Sequence, residues 1–183
     1  MQRYSMPAVI LHWLTASLII GNLTLGLLTE SFPEAQIRSV IDTHKSLGIT
    51  ILGLVLLRIL WRFMRPPPPL PAQYGSLEKR MAYLAHAALY LLMIAIPLSG
   101  WMHDSAWKAA AEIPMRWFGL FQWPRIGWIM QVEPVLKERL HALLGTIHEG
   151  LAYALVALVL LHVAAVLKHE WIDKEPEFRR MWR

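Results

Sequence analysis

Four long runs of apolar residues alternate with more polar connections along the chain. The runs cover about residues 8–28, 44–63, 81–103 and 140–168. Each reaches the roughly 20 apolar residues that a helix needs to cross a bilayer. The prolines at 66–69 offer no N–H donors, so the second helix must end before them. The pattern predicts an all-α membrane protein with four transmembrane helices, in a single membrane domain covering residues 1–183.

The composition also indicates a membrane protein. Of the 183 residues, 56% are hydrophobic and 17% are charged, against about 25% charged in an ordinary soluble domain. Cysteine is absent, which excludes disulfides, iron–sulfur clusters, thiolate catalysis and covalently attached c-type haem. The sequence pI near 9.7 does not indicate a nucleic-acid partner, because the basic residues lie at the ends of the apolar runs.

Lysine and arginine are distributed unevenly over the connections. The first connection holds only Arg38 and Lys45. The proline-rich connection with its approaches, and the C-terminal tail, hold Arg58, Arg62, Arg65, Lys79, Arg80, Lys168, Lys174, Arg179, Arg180 and Arg183. Positive charge marks the cytoplasmic side, so we expect both termini to be cytoplasmic. The third connection, residues 104–139, is then periplasmic, and its many aromatic residues predict an amphipathic loop lying at the interface.

Three histidines lie within the fourth apolar run, His141, His148 and His162, and ionisable side chains inside a membrane helix usually mark a functional site. His148 and His162 are 14 positions apart, which is about 40° short of four helical turns, so both side chains leave the same face roughly 21 Å apart. A single zinc site would instead need histidines one turn apart. The spacing favours two cofactors stacked along the helix, as in a two-haem electron path.

Depth in the membrane sorts the histidines into pairs. His12 begins the first helix at the depth of His162, whereas His44 begins the second helix at the depth of His148. Each pair can place two imidazole nitrogens on opposite faces of one b-type haem iron, at about 2 Å each. We therefore predict the axial pairs His12–His162 and His44–His148; the competing interpretation is a set of packing histidines. Three further histidines are expected to be structural, solvated or interfacial, namely His86, His103 and His141.

Four motifs carry a resemblance to a known family. They are YSMPAVILHW around His12, IDTHKSLG around His44, LAHAALYLLMIAIPLSGW in the third run and IHEGLAYALVALVLLHVAAVLKH in the fourth. Over nearly its whole length the chain resembles the bacterial cytochrome b561 family, which is related to the b subunits of nickel–iron hydrogenases and formate dehydrogenase. The resemblance implies a four-helix bundle in the bacterial inner membrane with two b haems. It also implies that His12, His44, His148 and His162 are the haem ligands.

The chain is also similar to superoxide oxidase, a type that passes electrons from periplasmic superoxide to ubiquinone. This resemblance implies that His169 contacts the quinone near the cytoplasmic interface. His169 follows His162 by seven residues, about 20° short of two turns, so it continues the haem-bearing face. Reducing a quinone requires protons, and a histidine with access to water can relay them. We therefore predict His169 as the catalytic proton relay.

Two arginines near the cytoplasmic end of the second run have two open interpretations. Arg58 and Arg62 lie one turn apart, and they either extend their charged groups to the interface or bind a haem propionate through the planar guanidinium.

Three functional hypotheses are open. The leading one is a quinone-linked oxidoreductase that passes electrons from a periplasmic donor, either superoxide or a redox partner protein, through two haems to ubiquinone. The second is a membrane anchor and electron conduit for a partner dehydrogenase or hydrogenase. The third is a histidine-lined metal transporter, disfavoured because Glu149 is the one carboxylate within the spans and divalent ions prefer oxygen ligands.

Overall fold

The computed structural model describes residues 3–71 and 73–182. Its α-helices are α1 (Met6–Leu27), α2 (Glu34–Met64), α3 (Ser76–Ser105), the short α4 (Gly127–Met130) and α5 (Pro134–Trp171). The four long helices have the length and composition to cross a membrane. The predicted all-α bundle of four membrane-spanning helices is therefore confirmed.

The helices extend beyond the predicted spans because polar residues continue them. α5 begins at Pro134 rather than near residue 140, since the Glu133 carboxylate accepts hydrogen bonds from the backbone N–H groups of Val135 and Leu136, both at 3.1 Å. Such a cap satisfies donors that the first helical turn leaves free. α2 begins directly after Pro33 and ends at Met64, just before the proline run. The apolar runs therefore mark the membrane portion of each helix rather than its ends.

Neighbouring helices pack in the order α1–α2–α3–α5. The closely packed backbone pairs are α1 with α2, α2 with α3, and α3 with α5. Their central core consists of Ile19, Ile51, Val55, Met93 and Leu155. Among the described residues, α2 with α5 and α1 with α5 are not closely packed pairs. Side chains rather than backbone therefore connect α5 to the first two helices.

Much of the apolar surface of the bundle is exposed. Leu91 and Leu161 are 68% and 66% exposed, and Ile20 is 59% exposed. A water-soluble protein rarely leaves contiguous apolar surface of this kind, whereas lipid tails solvate it and the helices satisfy their own backbone hydrogen bonds. The chain is therefore an integral membrane protein surrounded by lipid.

The connection between α3 and α5 contains a β-hairpin and one short helix. Strands β1 (Arg116–Trp117) and β2 (Phe121–Gln122) pair antiparallel, and α4 follows them. The turn requires positive φ angles at Phe118 (46°) and Gly119 (74°). The hairpin is fixed to α2, because the Phe118 N–H donates to Ser46 Oγ at 2.9 Å and Trp117 Nε1 donates to Thr50 Oγ1 at 3.1 Å. We call this end, residues 28–33 and 106–133, the hairpin end.

The opposite end of the bundle carries both chain termini. There, residues 172–182 fold back over the helices, and Trp13 Nε1 donates to the Met181 carbonyl at 2.7 Å. The buried Arg180 guanidinium donates to the carbonyls of Pro68 and Pro69 at 3.2 and 2.8 Å. The tail therefore ties α1 to the proline-rich connection. We call this end, residues 3–5, 65–71, 73–75 and 172–182, the terminal end.

Candidate functional site

Two histidines face each other toward the hairpin end. The ring of His44 on α2 and the ring of His148 on α5 have centroids 6.0 Å apart and an interplanar angle of 89°. Two imidazole nitrogens at about 2 Å from one metal ion place their ring centroids roughly 6 Å apart. The structure therefore brings together, with a suitable separation, the two residues that depth in the membrane assigns to one haem.

The Nδ1 atom of each ring in this pair is hydrogen-bonded to a backbone carbonyl. His44 Nδ1 donates to the Asn22 carbonyl at 3.0 Å, and His148 Nδ1 donates to the Ile96 carbonyl at 3.0 Å. The Ser99 hydroxyl also contacts His148 Nδ1 at 3.0 Å. A carbonyl only accepts hydrogen bonds, so both neutral rings carry their proton on Nδ1 and keep a lone pair on Nε2. That is the form in which a histidine binds a metal ion.

Two glycines make room for these rings. A Cβ atom at Gly26 would lie 2.9 Å from His44 Cε1, and one at Gly100 would lie 2.9 Å from His148 Cε1. Any larger residue at either position would displace the imidazole. Neither glycine was expected here from the sequence, because each lies on a different helix from its histidine and only the fold brings them together.

A second cluster, toward the terminal end of the bundle, consists of His12, His86, His162 and Arg58. The rings of His86 and His162 have centroids 5.6 Å apart at an interplanar angle of 77°, and His12 lies near both residues. His86 Nδ1 donates to the Ala82 carbonyl at 2.7 Å. The structure therefore places His86, which had no predicted partner, in the same cluster as His12 and His162. The pairing of His12 with His162 stays a prediction.

Arg58 contacts this cluster directly. Its Nη2 donates to His12 Nδ1 at 3.2 Å, and its guanidinium lies 5.4 Å from the centroid of Tyr90. The guanidinium of Arg62 also lies near the Tyr90 ring, at 5.8 Å from its centroid. Arg58 is thus half-buried inside the bundle rather than extended to the interface. A neutral His12 ring that accepts at Nδ1 carries its proton on Nε2, so iron binding through Nε2 requires the guanidinium to turn away.

Two further histidines near the hairpin end stack on each other and join α3 to α5. His103 on α3 and His141 on α5 stack with centroids 3.9 Å apart and an interplanar angle of 15°. Each Nδ1 donates to the backbone carbonyl of the other residue, at 2.9 and 3.0 Å. The reciprocal hydrogen bonds join the two helices beside Gly145, where a Cβ atom would lie 3.0 Å from His103 Cε1. The sequence had predicted solvated or interfacial side chains at these two positions.

His169 lies at the terminal end, apart from the other histidines. Its ring stacks on Tyr74 with centroids 4.4 Å apart, and its Nδ1 donates to Asp173 Oδ2 at 2.7 Å. The side chain is 16% exposed, so it is partly accessible to water. Neither Tyr74 nor Asp173 was expected beside His169 from the sequence.

A buried ion cluster stabilises the loop at the hairpin end. The Asp104 carboxylate binds Lys45 of α2 and accepts from Arg125 Nε at 2.7 Å. The Arg125 guanidinium also donates to the carbonyls of Ala110 and Ile113, both at 2.6 Å. These contacts tie the loop to the residue that directly follows His44. Within residues 3–71 and 73–182, no three or more His, Asp or Glu side chains come together as a metal-ion site.

Comparison with known proteins identifies the family. Residues 3–183 match the sequence profile described as prokaryotic cytochrome b561. The chain belongs to this family. Members of the cytochrome b561 family are membrane b-type cytochromes that transfer electrons, so a b-type haem is the cofactor to be fitted. The residues toward the hairpin end suit it, since the ring centroids of His44 and His148 lie 6.0 Å apart, each neutral ring keeps its lone pair on Nε2, and Gly26 and Gly100 leave space for the rings.

The similar proteins span nearly the same length. The chain is 33% identical to cytochrome b561 homolog 2 of Escherichia coli (strain K12), with 98% of this chain and 91% of that protein covered. It is 24% identical to cytochrome b561 homolog 1 of the same strain, with 99% and 97% covered. It is 28% identical to the probable superoxide oxidase CybB of Yersinia pestis, with 98% and 96% covered.

Proposed function

We propose that this cytochrome b561 family member carries two b haems and passes single electrons from a donor at the hairpin end to ubiquinone at the terminal end. The observation that carries the proposal is that His44 and His148 lie together toward one end of the bundle, and His12, His86 and His162 toward the other, each group on different helices. In this proposal His44 and His148 hold one haem, and His12 and His162 hold the other. A bis-histidine iron has no open position, which favours electron transfer over oxygen binding.

The side chains around the cluster of His12, His86 and His162 support the proposal. Arg58 and Arg62 both lie beside Tyr90 on the terminal side of the bundle. We propose that Arg58 turns from His12 Nδ1 to a haem propionate, which would restore the proton to Nδ1 and leave Nε2 for iron. A carboxylate binds a guanidinium through two parallel hydrogen bonds, and Arg62 is one turn away to share the charge. The role of His86 in this proposal is to pack against His162.

The proposed donor is superoxide, by similarity to the probable superoxide oxidase of Yersinia pestis. The test uses the purified protein with oxidised haems and supplies superoxide as the only reductant. The proposal expects haem reduction faster than in a matched sample with added superoxide dismutase, followed by reoxidation on adding ubiquinone-1. Equal rates with and without the dismutase would remove superoxide as the donor.

A second candidate function is electron transfer to or from a partner protein that docks at the hairpin end. The observation that favours it is the exposure of apolar side chains there, since Leu120 is 73% and Trp128 is 64% exposed. Substituting both residues with serine separates the candidates. A docking function predicts lost partner binding with unchanged superoxide kinetics, whereas the leading function predicts no dependence on a partner.

We further propose that the protein lies in the bacterial inner membrane with the terminal end in the cytoplasm. The distribution of lysine and arginine supports this orientation. The sequence has no cysteine, so single introduced cysteines can report it. Leu120→Cys (73% exposed) should react with a membrane-impermeant maleimide added to cells with a permeabilised outer membrane, and Ile172→Cys (74% exposed) should not. The reverse labelling pattern would show that the terminal end is periplasmic. The proposed quinone side would then be periplasmic and the donor side cytoplasmic.

A further inference from the structure

His169 has a carboxylate partner, which distinguishes it from the other histidines that the structure describes. Its Nδ1 donates to Asp173 Oδ2 at 2.7 Å, whereas His44, His86 and His148 use backbone carbonyls for the same bond. A carbonyl only orients the ring. An ionised carboxylate also favours the protonated ring electrostatically.

The end of α5 holds Asp173 in position. The helix ends at Trp171, and the Asp173 N–H still donates to the Lys168 carbonyl at 3.1 Å. Lys174 then adopts a left-handed conformation with φ of 59°, and the Glu175 N–H donates to the His169 carbonyl at 2.8 Å. The chain thus turns back at Asp173, and its carboxylate lies one turn after His169 on the same side.

A buried tyrosine fixes one face of the His169 ring. Tyr74 is 8% exposed, stacks on the ring at an interplanar angle of 22°, and donates its hydroxyl to Glu177 Oε1 at 2.9 Å. Glu177 accepts in turn from Arg180 Nη1 at 3.1 Å. Burial, together with the hydrogen bond to Glu177, raises the pKa of Tyr74, so this ring stays neutral and is not a competing base.

The carboxylate of Asp173 is ionised at neutral pH. Lys168 Nζ donates to the same Oδ2 atom at 2.7 Å. The hydrogen bond from Lys168, supported by the one from His169, holds the pKa of Asp173 below its usual value. Lys168 also binds Glu78 Oε1 at 3.2 Å, so its charge is shared between two carboxylates. Asp173 therefore offers His169 Nδ1 an ionised acceptor.

We propose that Asp173 is a positioning residue. It keeps one ring proton of His169 on Nδ1, so that Nε2 carries the other ring proton to a bound quinone. This inference rests on the proposed function, and it assigns a role that the family comparison does not. Reduction of one ubiquinone takes two electrons, which bound haems would supply one at a time, and two protons. His169 gives a proton from Nε2 to a quinone oxygen and becomes neutral, water at the terminal end then reprotonates it, and a second such transfer to the other quinone oxygen completes the quinol. Asp173 stays ionised throughout.

The test measures oxidation of the reduced haems by ubiquinone-1 in a stopped-flow instrument. Asp173→Asn keeps the size of the side chain but removes its charge and lets the amide donate to Nδ1, which selects the wrong tautomer. General acid–base groups typically contribute a factor of about 100 or more, so we expect the maximal rate to fall at least about tenfold. The half-saturating quinone concentration should change less than about twofold. Asp173→Glu should recover most of the rate.

The matched control is Glu78→Gln, which removes the other carboxylate bound to Lys168 and leaves the His169–Asp173 bond in place. The reduced haems of this variant should be oxidised by ubiquinone-1 at the natural rate. A normal maximal rate in Asp173→Asn would overturn the inference, as would a change confined to the half-saturating concentration or a loss of the haem spectra. If the natural protein is not oxidised by ubiquinone-1 at all, the proposed function fails, and this inference fails with it.

Discussion

The two histidine clusters of this cytochrome b561 family member are constructed differently. Toward the hairpin end, His44 and His148 each donate Nδ1 to a backbone carbonyl, and each ring lies against a glycine. Toward the terminal end, His12 accepts from the Arg58 guanidinium, and His162 contacts the third histidine, His86. Backbone groups hold the first pair in the tautomer that binds a metal ion, whereas a charged guanidinium contacts His12 in the second cluster.

Under the proposal of two haems, this difference would give the two haems different reduction potentials. A ring oriented by backbone carbonyls has little freedom, so its geometry is set by the helices. A cluster that contains a guanidinium has a positive charge near the iron, and positive charge stabilises the reduced, less positive form of a haem. We therefore expect the terminal-end haem to have the higher reduction potential, which directs electrons toward the end where the quinone is proposed to bind.

The largest effect is expected from removing one ligand of each cluster. His148→Ala should abolish the haem toward the hairpin end and His162→Ala the haem toward the terminal end, because a b haem is held by axial ligands and packing alone. Haem content should halve in each variant, with the other haem still low-spin in optical and EPR spectra. Loss of both haems from a folded single variant would show that the clusters are not independent.

The next largest effect is expected from alanine variants that distinguish the roles of the three histidines in the terminal-end cluster. His12→Ala should give the same residual spectrum and potential as His162→Ala if these two residues share one iron, whereas His86→Ala should retain both haems. Redox titration of the three variants makes the comparison. Loss of that haem in His86→Ala but not in His12→Ala would assign the axial pair to His86 and His162, whose rings already lie 5.6 Å apart.

A third test concerns the space beside the hairpin-side pair. Gly26→Ala puts a methyl group 2.9 Å from His44 Cε1, whereas Gly21→Ala on the same helix meets nothing within 4 Å. Overpacking of this kind typically costs about 1–3 kcal/mol, so we expect Gly26→Ala to lose part of one haem on mild heating. Gly21→Ala should keep both haems at the natural midpoint temperature. Equal haem loss from the two variants on heating would mean that haem binding does not require His44 to be at its observed position.

Features that depend on a single helix and its depth in the membrane were predictable from the sequence. Apolar runs mark the membrane helices, and positions of histidines along them place His44 and His148 at one level, as the structure finds. The glycines facing these rings were not predictable, because Gly26 and Gly100 lie on other helices. The contact between Arg58 and His12 was missed for the same reason, since it depends on how α1 and α2 are rotated against each other.

The loop and the tail were harder to predict than the helices. Residues 104–139 are rich in aromatic side chains, which is typical of interface helices and of compact loops alike. In the structure residues 116–122 of this connection form a hairpin bonded to Ser46. The turn that follows Asp173 has a left-handed residue at Lys174, a conformation that a lysine seldom adopts. Conformations of this kind are set by tertiary contacts rather than by local preference.

The smallest effect is expected from the charge that distinguishes the clusters. Arg58→Gln removes a positive charge beside His12 and should lower the potential of the terminal-end haem by about 60 mV, a tenfold change in its reduction equilibrium. The other haem should not shift. Arg65→Gln, at an exposed position of the same helix end, is the control and should leave both potentials unchanged. A shift of the other haem in Arg58→Gln would reverse the assignment of the clusters.

The central claim is that each cluster holds one b haem by two histidines. The most direct measurement is the pyridine haemochrome content of the purified protein per chain, combined with its EPR spectrum. We expect two b haems per chain and two low-spin ferric signals, with no high-spin signal. One haem per chain, none, or a high-spin signal of similar intensity would contradict the claim.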